Sequence, residues 1–278
     1  LRKWRLSRSM SEFKSFRKKY EDAGVKIEIV KIDAINTATD EVLDYCFQMA
    51  KSLGKPDDYK YFMQRGQNYR NVFNQSSGYM RPKYAGGPWL EDFTPVKSAV
   101  GKEDNFGTRD YVEANAWQYT WHVQHDPKGL IELMGGKQAF AEKLGLLYPL
   151  PSTVEGSGFV LDVSGLIGQY AHGNEPSHHM AYLFTYAGAP SKTQERTRQI
   201  LNEMYSDRPD GLSGNEDCGQ MSAWYVMSAM GLFEMDGGAS LNPVYELSGP
   251  IFKKITIQLD NKYFKGSKLK IEAKNSST

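Results

Sequence analysis

Residues 168–188 read GQYAHGNEPSHHMAYLFTYAG, and residues 211–231 read GLSGNEDCGQMSAWYVMSAMG. Each stretch sets a short polar cluster, Asn174-Glu175 or Asn215-Glu216-Asp217, directly before an apolar run of helical length. Pro176 suits the first turn of a helix, where its missing N–H leaves no bond unmade. Met180, Leu183, Phe184, Tyr186 and Ala187 then recur at a helix-like period until Gly188 ends the run. In the second stretch Asp217 is the expected N-cap of a helix over Gly219–Met230, with Gly231 beyond its end. The pattern predicts two carboxylate-bearing loops held at helix N-termini, an arrangement that builds a site on a rigid scaffold.

Outward from this centre the sequence is helical before it and β-like after it. Glu41–Leu53 and Tyr59–Phe73 read as a pair of amphipathic helices, the second capped by Asp57 or Asp58. Such pairs are the repeating unit of α-solenoids and α/α toroids. Ser76–Phe106 is a long loop. Gly129–Gly135, Gln138–Leu147 and Thr193–Tyr205 are further helices, the last with Thr197, Ile200, Leu201 and Met204 inward. After Gly231 the period changes. Val244–Leu247, Ile251–Leu259 and Leu269–Ala273 read as strands, so a helical domain over residues 41–238 is expected to give way to a β-domain at 239–278. The first forty residues are basic, carry one short alternating run at Val25–Val30, and stay unassigned.

Composition narrows the function classes. A net charge of +1 argues neither for nucleic acid nor for an anionic surface as partner. No run reaches the roughly 18 apolar residues of a membrane-spanning helix. Aromatic residues make up 13% of the chain, a content that suits carbohydrate recognition although most such rings pack cores. The two cysteines, Cys46 and Cys218, predict no bridge, and Cys218 is expected to be a small buried packing residue. The chain starts at Leu1 without a signal pattern and stops after a strand-like run, so it reads as an internal fragment of a longer polypeptide.

The chemistry-bearing residues leave alternatives open when read alone. Glu175 is a general acid or a helix cap: an acid needs a raised pKa, whereas a helix N-terminus favours the carboxylate. His172, Glu175, His178 and His179 have a superficially zinc-like spacing. Pro176 breaks their helical relation, and adjacent His178 and His179 project about 100° apart. Asn215, Glu216, Asp217 and Gln220 are oxygen-rich in the way calcium favours, yet lack the spacing of an EF-hand. EANAWQYTWHVQHD (113–126) puts Trp117 and Trp121 on one helix face in polar company that includes Glu113, Asn115 and Gln118.

HGNEPSHH, GLSGNEDCGQMSAWYVMSAMG, EANAWQYTWHVQHD and GLIELMGG together resemble the sequence blocks of glycoside hydrolase family 92, the calcium-dependent exo-acting α-mannosidases, from about Glu41 to Thr278. The resemblance implies a mainly α chain, with part of an (α/α)-toroid leading into a C-terminal β-sandwich. It implies inverting, calcium-assisted removal of terminal α-linked mannose (α-1,2 or related linkages of N-glycans or mannans) by a secreted, periplasmic or surface protein. It makes Glu175 the general acid and places Asn215, Glu216 and Gln220 at the calcium ion or the adjoining subsite. Asn174, His178, His179, Trp117 and Asp217 are the expected sugar-contacting residues. Inversion also needs a second carboxylate about 6.5–9.5 Å from the acid to activate water. That base is expected beyond Thr278, with Asp217 as a fallback. Two rival readings stand: a sugar-binding remnant without catalysis, and a hydrolase that holds its metal through the histidines.

Overall fold

Helices account for most of the regular structure, and the strands pair only as small antiparallel hairpins. The computed structural model describes residues 9–24, 56–97, 110–155, 163–235 and 244–274. The chain divides into two compact units, one of residues 1–72, 124–126 and 234–244, the other of 73–123, 127–233 and 245–278. The expected helix over Glu41–Leu53 and strand over Val25–Val30 lie outside the described residues.

In the first unit, α1 (Met10–Asp22) starts on a capping box. Ser9 Oγ accepts from the Glu12 N–H at 3.3 Å, and the Glu12 carboxylate accepts from the Ser9 N–H at 2.6 Å. The single helix expected over Tyr59–Phe73 is instead two, α2 (Pro56–Gly66) and α3 (Tyr69–Val72). Gly66 is a poor helix former, and the backbone turns there through Gln67 N–H to Gln64 C=O and Asn68 N–H to Arg65 C=O. Tyr69 donates to Asp126 at 2.8 Å, and His125 bonds the Gly66 carbonyl at 2.9 Å, which ties residues 124–126 to these helices.

The second unit holds the main core. Its elements are β1 (Phe73–Asn74), β2 (Tyr79–Met80), α4 (Ala116–Tyr119), α5 (Pro127–Leu133), α6 (Lys137–Leu146), β3 (Leu166–Ile167), β4 (Tyr170–Ala171), α7 (Leu183–Tyr186), α8 (Pro190–Glu203), α9 (Gln220–Ala229), β5 (Leu232–Phe233), β6 (Glu246–Leu247), β7 (Lys254–Gln258) and β8 (Lys268–Glu272). Helix α8 packs on α7 and α9 and buries Thr197, Ile200 and Leu201 as its period predicts, with Thr193 added and Met204, just past the helix end, only half-buried. Trp121, Phe140, Leu144, Tyr170, Tyr182, Phe184 and Met221 are fully buried around it. Tyr182 stacks on Phe233 at 4.1 Å, which seats β5 on this core. Hairpin β7–β8 pairs Ile255 with Ile271 and Ile257 with Leu269, as the alternation of residues 254–259 predicts.

The stretch after Glu175 departs from the expected continuous helix. It forms two 3-10 turns, Glu175–Ser177 and Met180–Tyr182, before the single α-turn of α7, and Gly188 ends it with φ of 78°. Pro176 allows only a tight first turn, and the breaks let His178 and His179 send their rings to different buried acceptors.

Candidate active site

Two glycines bring the polar clusters together. Gly173 precedes Asn174-Glu175 and Gly214 precedes Asn215-Glu216-Asp217, and the two meet backbone to backbone. A methyl group on Gly214 would lie 2.3 Å from the Gly173 Cα and carbonyl oxygen. The Asn215 N–H donates to that carbonyl at 3.4 Å, and the Gly173 N–H donates to Ser164 at 3.0 Å. Gly168, with φ of 62°, turns β3 into β4 against the carbonyls of Leu147 and Tyr148 and so delivers the chain to His172.

This contact sets Glu175 beside Asp217, and the two carboxyl groups hydrogen-bond. Two carboxyls can share a hydrogen bond only while one holds a proton. The pKa of Glu175 is raised, first by partial burial and then by the hydrogen bond and charge of Asp217 and the charge of Glu113. A backbone hydrogen bond at the helical turn pulls the other way without reversing the direction. The shift is in the direction a general acid needs. Glu113 reaches the cluster from the segment before α4 and accepts from Asn174 Nδ2 at 3.3 Å.

The backbone around these acids is strained. Among the described residues the non-glycine positions with positive φ are Glu113 (57°), Asp217 (47°) and Cys218 (58°), all at this cluster. Each left-handed residue of this kind costs on the order of 1–3 kcal/mol, and such strain gathers at functional sites. The turn corrects two expectations. Asp217 does not cap α9, because its left-handed backbone aims the carboxyl at Glu175. Glu216 caps instead, accepting from the Ser222 N–H at 3.3 Å and Ser222 Oγ at 3.0 Å. Cys218 is exposed rather than buried, since the same turn swings it outward. Cys46 lies outside the described residues.

Histidines support the site from behind. The ring of His178 accepts from the Gln220 amide nitrogen at Nδ1 (3.2 Å), so Nε2 carries the proton and donates to the His172 carbonyl at 3.0 Å. Its own carbonyl accepts from Trp224 Nε1 at 3.0 Å. His172 is held between the hydroxyls of Tyr170 (2.8 Å) and Tyr205 (2.7 Å), and His179 Nε2 meets the Trp121 carbonyl at 2.7 Å. Burial lowers the pKa of His178 and of His179 to about 4 and holds that of His172 well below the usual histidine value, so all three rings are neutral. Among the described residues no three His, Cys, Asp or Glu side chains are grouped to hold a metal ion.

The remaining sequence-derived residues divide. Asn174 and Asp217 lie at the acids. Asn215 is exposed on the loop, Glu216 is turned to Ser222, and Gln220 presents its amide nitrogen to His178. Trp117 is buried with Trp121; its ring meets Tyr79 edge-on at 5.0 Å, and the Lys143 ammonium lies 3.4 Å from the Tyr79 centroid. The polar company of Trp117 proves structural as well. Asn115 caps α4 and donates to Gln169 Oε1 at 2.9 Å, while Gln118 donates to the Gln169 carbonyl at 2.6 Å. The sequence reading points to the segment 113–126 without singling out Glu113, because its left-handed backbone has no sequence signature.

A carboxyl with a raised pKa beside other carboxylates is the layout of an acid-assisted hydrolase. Comparison with known families places it further. Residues 34–278 match the glycosyl hydrolase family 92 catalytic domain, and the chain belongs to that family. A family GH92 α-mannosidase from Bacteroides thetaiotaomicron, solved in complex with mannoimidazole, superposes with a TM-score of 0.68 at 36% identity over 84% of this chain. A family GH92 inverting mannosidase from the same organism gives 0.62 at 33% identity over 94% of this chain. A protein of Arthroderma benhamiae described as an uncharacterized secreted glycosidase is 29% identical over 77% of this chain. The chain spans 30%, 34% and 27% of the lengths of these three proteins.

Proposed function

We propose that the protein is an exo-acting α-mannosidase in which Glu175 protonates the oxygen that leaves a terminal α-linked mannose of a glycan. The observation that carries this reading is the Glu175 carboxyl, raised in pKa and hydrogen-bonded to Asp217. Family membership and the two mannosidase neighbours support the substrate class. Protonation turns the departing alkoxide into an alcohol while an oxocarbenium-like ring develops.

Asp217, in hydrogen-bond contact with the acid, is too close for the base of an inverting pair, which stands about 6.5–9.5 Å away with water between. It keeps the proton on Glu175 and, with Asn174, faces the sugar. His178, His179 and Trp117 act from the buried side, His178 by orienting Gln220. The water-activating carboxylate belongs to the C-terminal β-domain, as the family resemblance implies.

Asn215, Glu216 and Gln220 form an all-oxygen donor set that suits calcium. With its amide nitrogen on His178, Gln220 has Oε1 left as donor, and a carboxylate such as Glu216 accepts more bonds than the two from Ser222. These three residues would hold the ion, which when bound gathers the hydroxyls of the mannose. We read residues 41–238 as part of an (α/α)-toroid and 239–278 as the start of a β-sandwich. The name of the fungal relative supports a secreted protein, and no helix of the described residues is long and apolar enough to cross a membrane.

The test is mannose release from an α-linked mannobiose by this chain, with calcium and with chelator, beside Glu175→Gln. Calcium-dependent release that drops by about 10²–10⁴-fold in the variant is expected. Release unchanged by Glu175→Gln would sink the assignment. A folded chain that binds the disaccharide without cleaving it would instead favour the sugar-binding remnant.

A further inference from the structure

A concavity borders α9, the helix that follows the loop carrying Asp217. Tyr205, Asp207, Arg208, Ser222, Tyr225 and Val226 are among the residues that line it, and its volume is about 540 Å³. That falls within the roughly 300–1,000 Å³ of small-molecule sites. Its floor is rigid. The Tyr205 hydroxyl is fixed by His172 at 2.7 Å and donates to the Met221 carbonyl at 3.1 Å, and its ring lies parallel to Trp224 at 6.1 Å. Tyr225 stands 4.8 Å from Tyr205 at 55°, so two aromatic faces border one basin.

The rim is polar and carries charges of both signs. Arg208 pairs with Asp210 at 3.3 Å, and Asp207 adds an acid beside it. An anionic ligand would meet those acids; a neutral ligand rich in hydroxyls finds both donors and acceptors. Flat rings for the C–H faces of a pyranose, with a hydroxyl-bonding rim, are what a saccharide requires. The basin is tied to the loop before α9 through one side chain. Ser222 lines it and donates its hydroxyl to Glu216, the residue before Asp217.

We propose that this basin is a distal subsite for the neutral saccharide that stays attached behind the mannose being removed, an inference that rests on the α-mannosidase reading. Affinity for a chain longer than one sugar would then depend on Tyr225 and Arg208, neither of which touches Glu175 or Asp217 in the structure.

Calorimetric titration of the chain carrying Glu175→Gln, which blocks turnover, compares an α-linked mannotriose with methyl α-mannoside. The trisaccharide is expected to bind more tightly, and Arg208→Ala or Tyr225→Ala to lower the ratio of the two affinities by about 5-fold, or ~1 kcal/mol. A ratio unchanged in both variants, equal affinity for the two sugars, or no binding of either would overturn the subsite. The Arg208 side chain is 71% exposed, so its removal reads the basin even if Tyr225→Ala disturbs folding. The readout is separate from the catalytic assignment: mannose release that ignores Glu175 would sink that assignment and leave the affinity ratio to judge the basin.

Discussion

Gly173 and Gly214 are in backbone contact, and that contact helps bring residues about forty positions apart into one carboxyl cluster. Any Cβ at Gly214 meets backbone at 2.3 Å, where no flexible side chain can move aside. Gly214→Ala must therefore part the two loops. Overpacking of this kind costs about 1–3 kcal/mol, and a misplacement near 1 Å costs about 100-fold in rate. A thermal melt and a rate measurement are expected to show both losses; wild-type activity in the variant would refute the role of the contact.

The Glu175–Asp217 hydrogen bond gives a pH prediction. Glu175 acts while protonated, so activity is lost as pH rises through its pKa. Asp217 raises that pKa by hydrogen bond and charge. Asp217→Asn removes the negative charge, so the basic limb of the kcat/KM profile should move toward lower pH. A limb that stays in place would show that burial alone sets the proton.

Acid should unfold the protein through its buried histidines. The folded pKa is lowered to about 4 at His178 and His179 and to about 3 at His122, against 6.5 for an ordinary histidine. The unfolded chain binds these protons first, so their contribution is complete above about pH 6.5 and is lost as pH falls toward the folded values. Denaturant midpoints measured at stepped pH are expected to fall through this window, and less steeply in His178→Asn. A flat profile in the wild type would count against neutral buried rings.

Gln169 joins β4 to the segment bearing Glu113. It bonds Asn115 and Gln118, and its side-chain amide donates to the carbonyls of Pro151 (2.6 Å) and Thr153 (2.9 Å). Gln169→Leu leaves the Asn115 amide and these carbonyls without their partner. The expected loss is about 1–3 kcal/mol for the buried Asn115 amide, since the Pro151 and Thr153 carbonyls belong to exposed residues, read as a lower unfolding midpoint together with reduced activity as Glu113 loses its support.

Local chemistry was legible where residues act on their neighbours in sequence. The apolar stripe of α8 and the alternation of β7 follow from period alone, and Gly188 and Gly231 end their runs as their left-handed φ values of 78° and 80° require. The two clusters were recognisable as a pair through their sequence blocks, and the family followed from those blocks. The break at Gly66, the 3-10 turns after Glu175 and the outward turn of Cys218 were not legible. Glycine's helix penalty of about 1 kcal/mol is too small to fix a break at Gly66 by itself, Pro176 marks a helix start without setting its 3-10 form, and the left-handed turn at Cys218 leaves no mark in the sequence.

By itself the sequence singled out the residues proposed to carry the chemistry: a carboxyl at Glu175, an oxygen-rich turn at Asn215–Gln220, and helices to hold them. Tertiary structure decided what those groups are to one another. It joined Glu175 to Asp217 through the Gly173–Gly214 contact, added Glu113 from a strained turn, and buried the histidines as supports. The reason is physical. A residue's type is local, but its proton affinity is set by the charges and solvent around it, which exist only once distant segments have packed together.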